Sequence, residues 1–110
     1  MLEYEDTITT FYHTVFFWVK DGTPSEKVQQ LVEDCKAYLG SINEVRELYV
    51  GTPAGTPRDV VDNSYDVSII VRFENKEAHD KYQADGTHHQ FIERNKDIWE
   101  RVQVYDMIRK

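Results

Sequence analysis

Tyr82 and His88 stand on either side of the dipeptide Asp85-Gly86, and they are the residues of this chain best suited to handling a proton together. A neutral imidazole at 88 can accept a proton from an acidic carbon, while a phenol at 82 can donate a hydrogen bond to the enolate oxygen that forms. Phe91 and Ile92 follow within one helical turn and, with Val67, would supply apolar walls. A few polar tips converging on apolar walls make a small-ligand pocket. His13 belongs to a run whose alternation aims it at the same space as Val67. Each of these residues also has a structural reading: Tyr82 and His88 bonded to each other or to the backbone would simply lock the chain there, and His13 could be a satisfied core residue.

Other chemistry is poorly supported. His79, between Glu77 and Asp80, reads as exposed. Adjacent histidines such as His88 and His89 diverge by about 100° on a helix, and no second pair at i, i+4 faces them. We expect no metal and no cofactor. The lone Cys35 lies on an apolar helical face and reads as a small buried hydrophobe. Two Gly-Thr-Pro tripeptides, at Gly51 and Gly55, are not followed by Gly-Lys-Ser/Thr and open no helix, so they do not make a phosphate loop.

The elements that must position these residues follow from pattern. Val67, Ile69, Val71 and Phe73 alternate with Ser68, Ile70 and Arg72, the period of a strand in mid-sheet. Asn75 then offers a helix N-cap, with Glu77 and Asp80 near the positive end of the helix dipole. That helix should end near Asp85-Gly86, and the hydroxyl of Thr87 is placed to cap the next one, which runs to about Asp97. Upstream, residues 10–20 form a strand with His13, Val15, Phe17 and Val19 on one face and Thr14, Phe16 and Trp18 on the other. Thr23-Pro24-Ser25-Glu26 reads as a capping box, followed by Val28, Leu31, Val32, Cys35 and Leu39 at the spacing of one helical face, with Gly40 as its C-terminal cap. Residues 44–52 predict a second strand, residues 51–63 a solvated loop, and residues 100–108 a last strand.

The order strand, helix, strand, strand, helix pair, strand predicts an α+β, ferredoxin-like βαββαβ domain over residues 10–110: a four-stranded antiparallel sheet with helices on one face. Residues 1–9 read as an N-terminal extension. The other face of the sheet would carry Phe16, Trp18, Ile70, Tyr105 and Met107. Aromatics make up 13% of the 110 residues, more apolar surface than one small core hides, so a homodimer closed through that face is expected. The net charge of −7 argues against a nucleic-acid or anionic-membrane partner. No apolar run reaches the roughly 20 residues that span a bilayer, and the chain is expected to be cytoplasmic.

The stretches HTVFFWVKDG, YDVSIIVRFENKEAHDKY, GTHHQF and ERVQVYDM together resemble the stress-responsive A/B barrel domain (Dabb) family of the dimeric alpha-beta barrel superfamily. The resemblance runs from His13 to Met107. It implies a homodimer and a stress-related role, and most members have no assigned activity; one closes a polyketide chain by an aldol reaction. Its site would place the catalytic pair on Tyr82 and His88 and a pocket histidine on His13. A further pocket histidine of that enzyme falls on Val67, and the family's His-Pro-x-His turn is here Asp85-Gly86-Thr87-His88. The resemblance therefore implies a homodimeric domain of uncharacterised role with a small-ligand pocket between sheet and helices, with a cofactor-free lyase or cyclase acting on a small apolar carbonyl compound as the alternative, in which His88 is the base and Tyr82 the donor. A cofactor-free oxygenase of the same superfamily has no distinguishing residue here.

Overall fold

Alternating burial along the strands builds the sheet. In β1 (Phe11–Val19) every second residue from Phe11 to Phe17 is buried, and in β3 (Val67–Phe73) so are Val67, Ile69, Val71 and Phe73. The computed structural model, which describes residues 9–110, pairs these strands antiparallel, with Phe11 opposite Phe73 and Phe17 opposite Val67. β2 (Glu47–Gly51) flanks β3 and β4 (Trp99–Ile108) flanks β1, both antiparallel, giving the order β2-β3-β1-β4. Side chains alternate across a strand, so this register gathers the apolar sets on one face. There they meet Leu31 and Cys35 of α1 (Ser25–Ala37), Tyr82 of α2 (Lys76–Ala84) and Phe91 of α3 (Gly86–Asn95) in one core. The result is the ferredoxin-like arrangement, with its second helical segment split in two. Of the N-terminal extension, residues 1–8 lie outside the described residues.

The helices are tied by a polar contact inside the core layer. The buried Asp34 carboxylate on α1 accepts from Arg94 Nε at 2.8 Å and from Asn95 Nδ2 at 3.0 Å, both on α3. Asn95 Nδ2 also donates to the Phe91 carbonyl at 3.0 Å, so both hydrogens of its amide are used, while its Oδ1 is buried without a partner among the described residues.

Five local expectations are corrected. Thr23 does not cap α1: its hydroxyl donates to the Lys20 carbonyl at 2.5 Å, closing the turn in which Gly22 has φ +80°, and α1 begins at Ser25 without a side-chain cap. Gly40 is not a left-handed cap, because the buried Leu39 and Ile42 draw the chain into a 3-10 turn over Leu39–Ser41. The cap of α3 is Asp85, not Thr87: Asp85 Oδ1 accepts from the Thr87 amide at 2.7 Å, while the Asp85 amide donates to the Tyr82 carbonyl. One residue thus closes α2 and opens α3, and a carboxylate suits a helix N-terminus better than a hydroxyl. Finally, β2 is shorter than residues 44–52, and α3 gives way at Lys96–Ile98 to a 3-10 turn.

On the other sheet face Ile70, Tyr105 and Met107 are exposed, the last two by about 60%. Phe16 and Trp18 are only half-exposed, because the end of the loop between β2 and β3 folds back over them. Tyr65 packs edge-on against Phe16 at 4.9 Å, Trp18 Nε1 donates to Ser64 Oγ at 2.9 Å, and the Arg101 guanidinium lies 4.3 Å from the Trp18 ring centroid. The loop expected to be a solvated connector is therefore part of this face, and the chain itself covers a share of what a partner was expected to cover.

Candidate functional site

The joint at Asp85 swings α3 away from α2 and leaves a cavity of about 140 Å³ between the helices and the β1–β4 side of the sheet. β1 contributes His13, Val15 and Phe17, β3 contributes Ile69, and β4 contributes Val102 and Val104. Tyr82 and Gln83 of α2 and His88, Phe91 and Ile92 of α3 form the opposite wall, with Leu39 and Trp99 at the sides. Val102 and Val104 are each 41% exposed, so the helix cover is incomplete along β4, one of the two edge strands. His13, Tyr82, His88, Phe91 and Ile92 thus share one cavity. Val67 does not line it. It is completely buried in the core, and Ile69, the next residue on its face, takes that place, since parity fixes a face but not a position along the strand.

Tyr82 and His88 meet edge to face, their ring centroids 4.8 Å apart. No hydrogen bond joins the two side chains, and His88 Nδ1 is buried without a partner among the described residues. The locked joint that the sequence allows is not formed. Burial, reinforced by the neighbouring His89 and His13, pushes the His88 imidazole down to about 4, with Asp85 opposing weakly. His88 is therefore neutral at ordinary pH. Burial also raises the Tyr82 phenol, with Cys35 adding to it, so Tyr82 keeps its proton and remains a donor. Cys35 itself is fully buried and its thiol is pushed up to about 12, which makes it inert.

His13 is buried in β1 and its Nδ1 lies 2.6 Å from Asp106 Oδ1 on β4. Burial lowers the His13 imidazole more than the Asp106 carboxylate raises it. A neutral ring beside a carboxylate carries its proton on Nδ1 and donates it there, which leaves Nε2 as an acceptor. Asp106 was not singled out in the sequence, although an acidic residue on the same strand face as Val102 and Val104 was the available signal. His79 was expected to be exposed and is not: its side chain is 13% exposed, stacked on Phe11 at 4.4 Å and 5.0 Å from the His13 ring. It precedes Tyr82 by one helical turn and so shares its inward face. The acidic residues beside it suggested a solvated side, but Glu77 and Asp80 point to solvent while His79 does not.

The stress responsive A/B barrel domain family matches this sequence over residues 11–109. The chain belongs to that family. The match takes in all four strands and all three helices, so every wall of the cavity lies inside the A/B barrel domain. Solved structures agree in fold. A Dabb family protein from Mesorhizobium loti with a ferredoxin-like fold is 22% identical, covers 92% of this chain and 97% of its own, and superposes with a TM-score of 0.76. A hydroxynitrile lyase from Passiflora edulis is 16% identical, covering 94% and 95%, with a TM-score of 0.81. A dimeric ferredoxin-like protein of unknown function from Thermobifida fusca is 14% identical, covering 90% of each chain, with a TM-score of 0.76. No curated protein matches the sequence. Among the described residues no helix is long and apolar enough to cross a membrane.

Proposed function

We propose that this A/B barrel domain is a homodimeric, stress-related binding protein of the cytoplasm that takes a small apolar carbonyl compound into the cavity between sheet and helices. The observation that carries the reading is His88 Nδ1, a buried polar atom without a partner among the described residues, on a residue that lines a mostly apolar cavity. An unsatisfied buried group of this kind costs about 1–3 kcal/mol, which a ligand hydrogen bond offsets. The volume sets the size: an apolar cavity of about 150 Å³ accommodates benzene, so a one-ring aldehyde or ketone suits this one. Twofold pairing is supported by the exposed Ile70, Tyr105 and Met107 on the outer sheet face and by the dimeric state of the Thermobifida fusca structure. The test is a set of one-ring aldehydes and ketones titrated into the protein and followed by amide chemical shifts. Shifts at residues around Tyr82, His88 and Phe91 are expected; none at millimolar ligand sinks the reading.

The short bond between His13 and Asp106 favours a second reading, a cofactor-free lyase. His88, the base expected from the sequence, is a weak proton acceptor at about 4. His13, held by Asp106 and presenting Nε2, is the better one. Its Nε2 would take the proton from a carbon next to the carbonyl, the C–H electron pair would pass to the oxygen, and Tyr82 would donate a hydrogen bond to the resulting enolate. Deuterium exchange at that carbon, present in the native protein and lost in His13→Gln, distinguishes catalysis from binding alone.

A further inference from the structure

Beside the cavity wall three ligand-type side chains converge from three elements: His13 of β1, His79 of α2 and Asp106 of β4. One donor atom of each lies within 4.8 Å of the other two. We infer that they form a binding site for a divalent transition-metal ion of the zinc class. Neither His79 nor Asp106 lines the cavity, so the inference stands whether or not a carbonyl compound binds there.

The spacing suits such an ion. Nitrogen and oxygen ligands sit about 2.0–2.2 Å from zinc and so roughly 3–4 Å from each other; the three donor atoms, within 4.8 Å of one another, have only a short distance to close. The donor set suits it too. Two imidazoles with one carboxylate favour zinc, iron, cobalt or nickel over magnesium and calcium, which prefer oxygen throughout. The rings are held in place by aromatic packing: Phe11 stacks on His79, and Phe73 meets the edges of both His79 and His13. Behind His79, Asp80 Oδ1 lies 3.2 Å from Nδ1, the kind of outer carboxylate that orients a ligand imidazole. The Asp106 side chain is 38% exposed, which leaves the ion a way in and room for solvent in its remaining positions.

Coordination through His13 Nδ1, the nitrogen beside Asp106, moves the ring proton to Nε2. The ring stays neutral and no proton is gained or lost. With the ion bound, His13 therefore presents a hydrogen-bond donor in place of an acceptor, and the ion becomes a switch on what His13 can do for a ligand.

The test uses the full chain, stripped with a chelator and titrated with Co²⁺ while its visible absorption is followed, then with Zn²⁺ in competition. Equimolar Co²⁺ binding that Zn²⁺ displaces is expected. His79→Phe, which keeps the stacking on Phe11, and Asp106→Asn should each weaken it more than about 100-fold, and Asp80→Asn about 10-fold. His88→Phe should leave it unchanged, which separates the ion site from the cavity. Far-ultraviolet circular dichroism shows whether each variant is folded, and two independent ligand variants guard against one that is not. No binding at millimolar Co²⁺, or binding retained in both ligand variants, as an exposed histidine such as His89 would give, overturns the inference.

Discussion

His13 and Asp106 face each other directly across the β1–β4 pairing, and a 2.6 Å hydrogen bond joins them. The bond couples a buried ring to a carboxylate at the edge of the sheet, where the helix cover ends. Burial prevails over the attraction of the carboxylate, so this is a neutral imidazole donating to Asp106 and not a buried ion pair.

Asp106→Ala removes the group that fixes the His13 tautomer. With Asp106 partly exposed, the stability loss should be modest, about 1 kcal/mol in urea unfolding. The nitrogen chemical shifts of His13 should change from one tautomer to a mixture. An unaltered single tautomer would show that the core, not Asp106, sets it.

Tyr82→Phe separates packing from function. The ring fills the core, but its hydroxyl makes no hydrogen bond to His88, so stability should change by less than about 1 kcal/mol while affinity for a carbonyl ligand falls about 10-fold. A large loss of stability would mean that the hydroxyl has a structural partner.

His88 gives the fold a pH dependence. The unfolded imidazole titrates near 6.5 and the folded one at about 4, so between those values the unfolded chain binds more protons. Stability is then full above pH 6.5 and declines as pH falls toward 4. Chemical unfolding across this range should show the decline, and His88→Phe should reduce it, leaving the part that the lowered His13 imidazole contributes.

Asp34→Ala breaks the tie between α1 and α3. Asn95 is left buried with its amide short of an acceptor, whereas Arg94 can turn to solvent, so a loss of about 1–3 kcal/mol is expected. A calorimetric scan measures it, and Asp34→Asn should recover part of the loss through the bond to Asn95.

Met107→Glu tests the dimer more cleanly than a change at Trp18. Trp18 is engaged within its own chain by Ser64 and Arg101, so replacing it disturbs the fold as well as any interface. Met107 is exposed and a charge there costs little unless a partner buries it. Sedimentation should show the native protein as a dimer and Met107→Glu as a monomer at micromolar concentration; identical profiles would remove this face from the interface.

The order of elements was legible in the sequence because it rests on periodicity. Alternation along Val67 to Phe73 and the helical spacing of Val28 to Leu39 are local patterns, and burying them on one side leaves few topologies. Tyr82, His88 and His13 could be aimed at one space for the same reason, since parity and helical phase are properties of single elements. The rest was decided between elements. Asp106 became His13's partner through strand register, His79 turned inward through the phase of α2 against the sheet, and Asp85 displaced Thr87 as a cap because it also closes the preceding helix. Which Val or Ile lines the cavity, and that Ser64 and Tyr65 return to cover Phe16 and Trp18, depend on distances along and across strands. Periodicity carries the face of a residue and not its neighbours, so the sequence alone determined the sheet and its helices, and the tertiary structure decided which side chains meet.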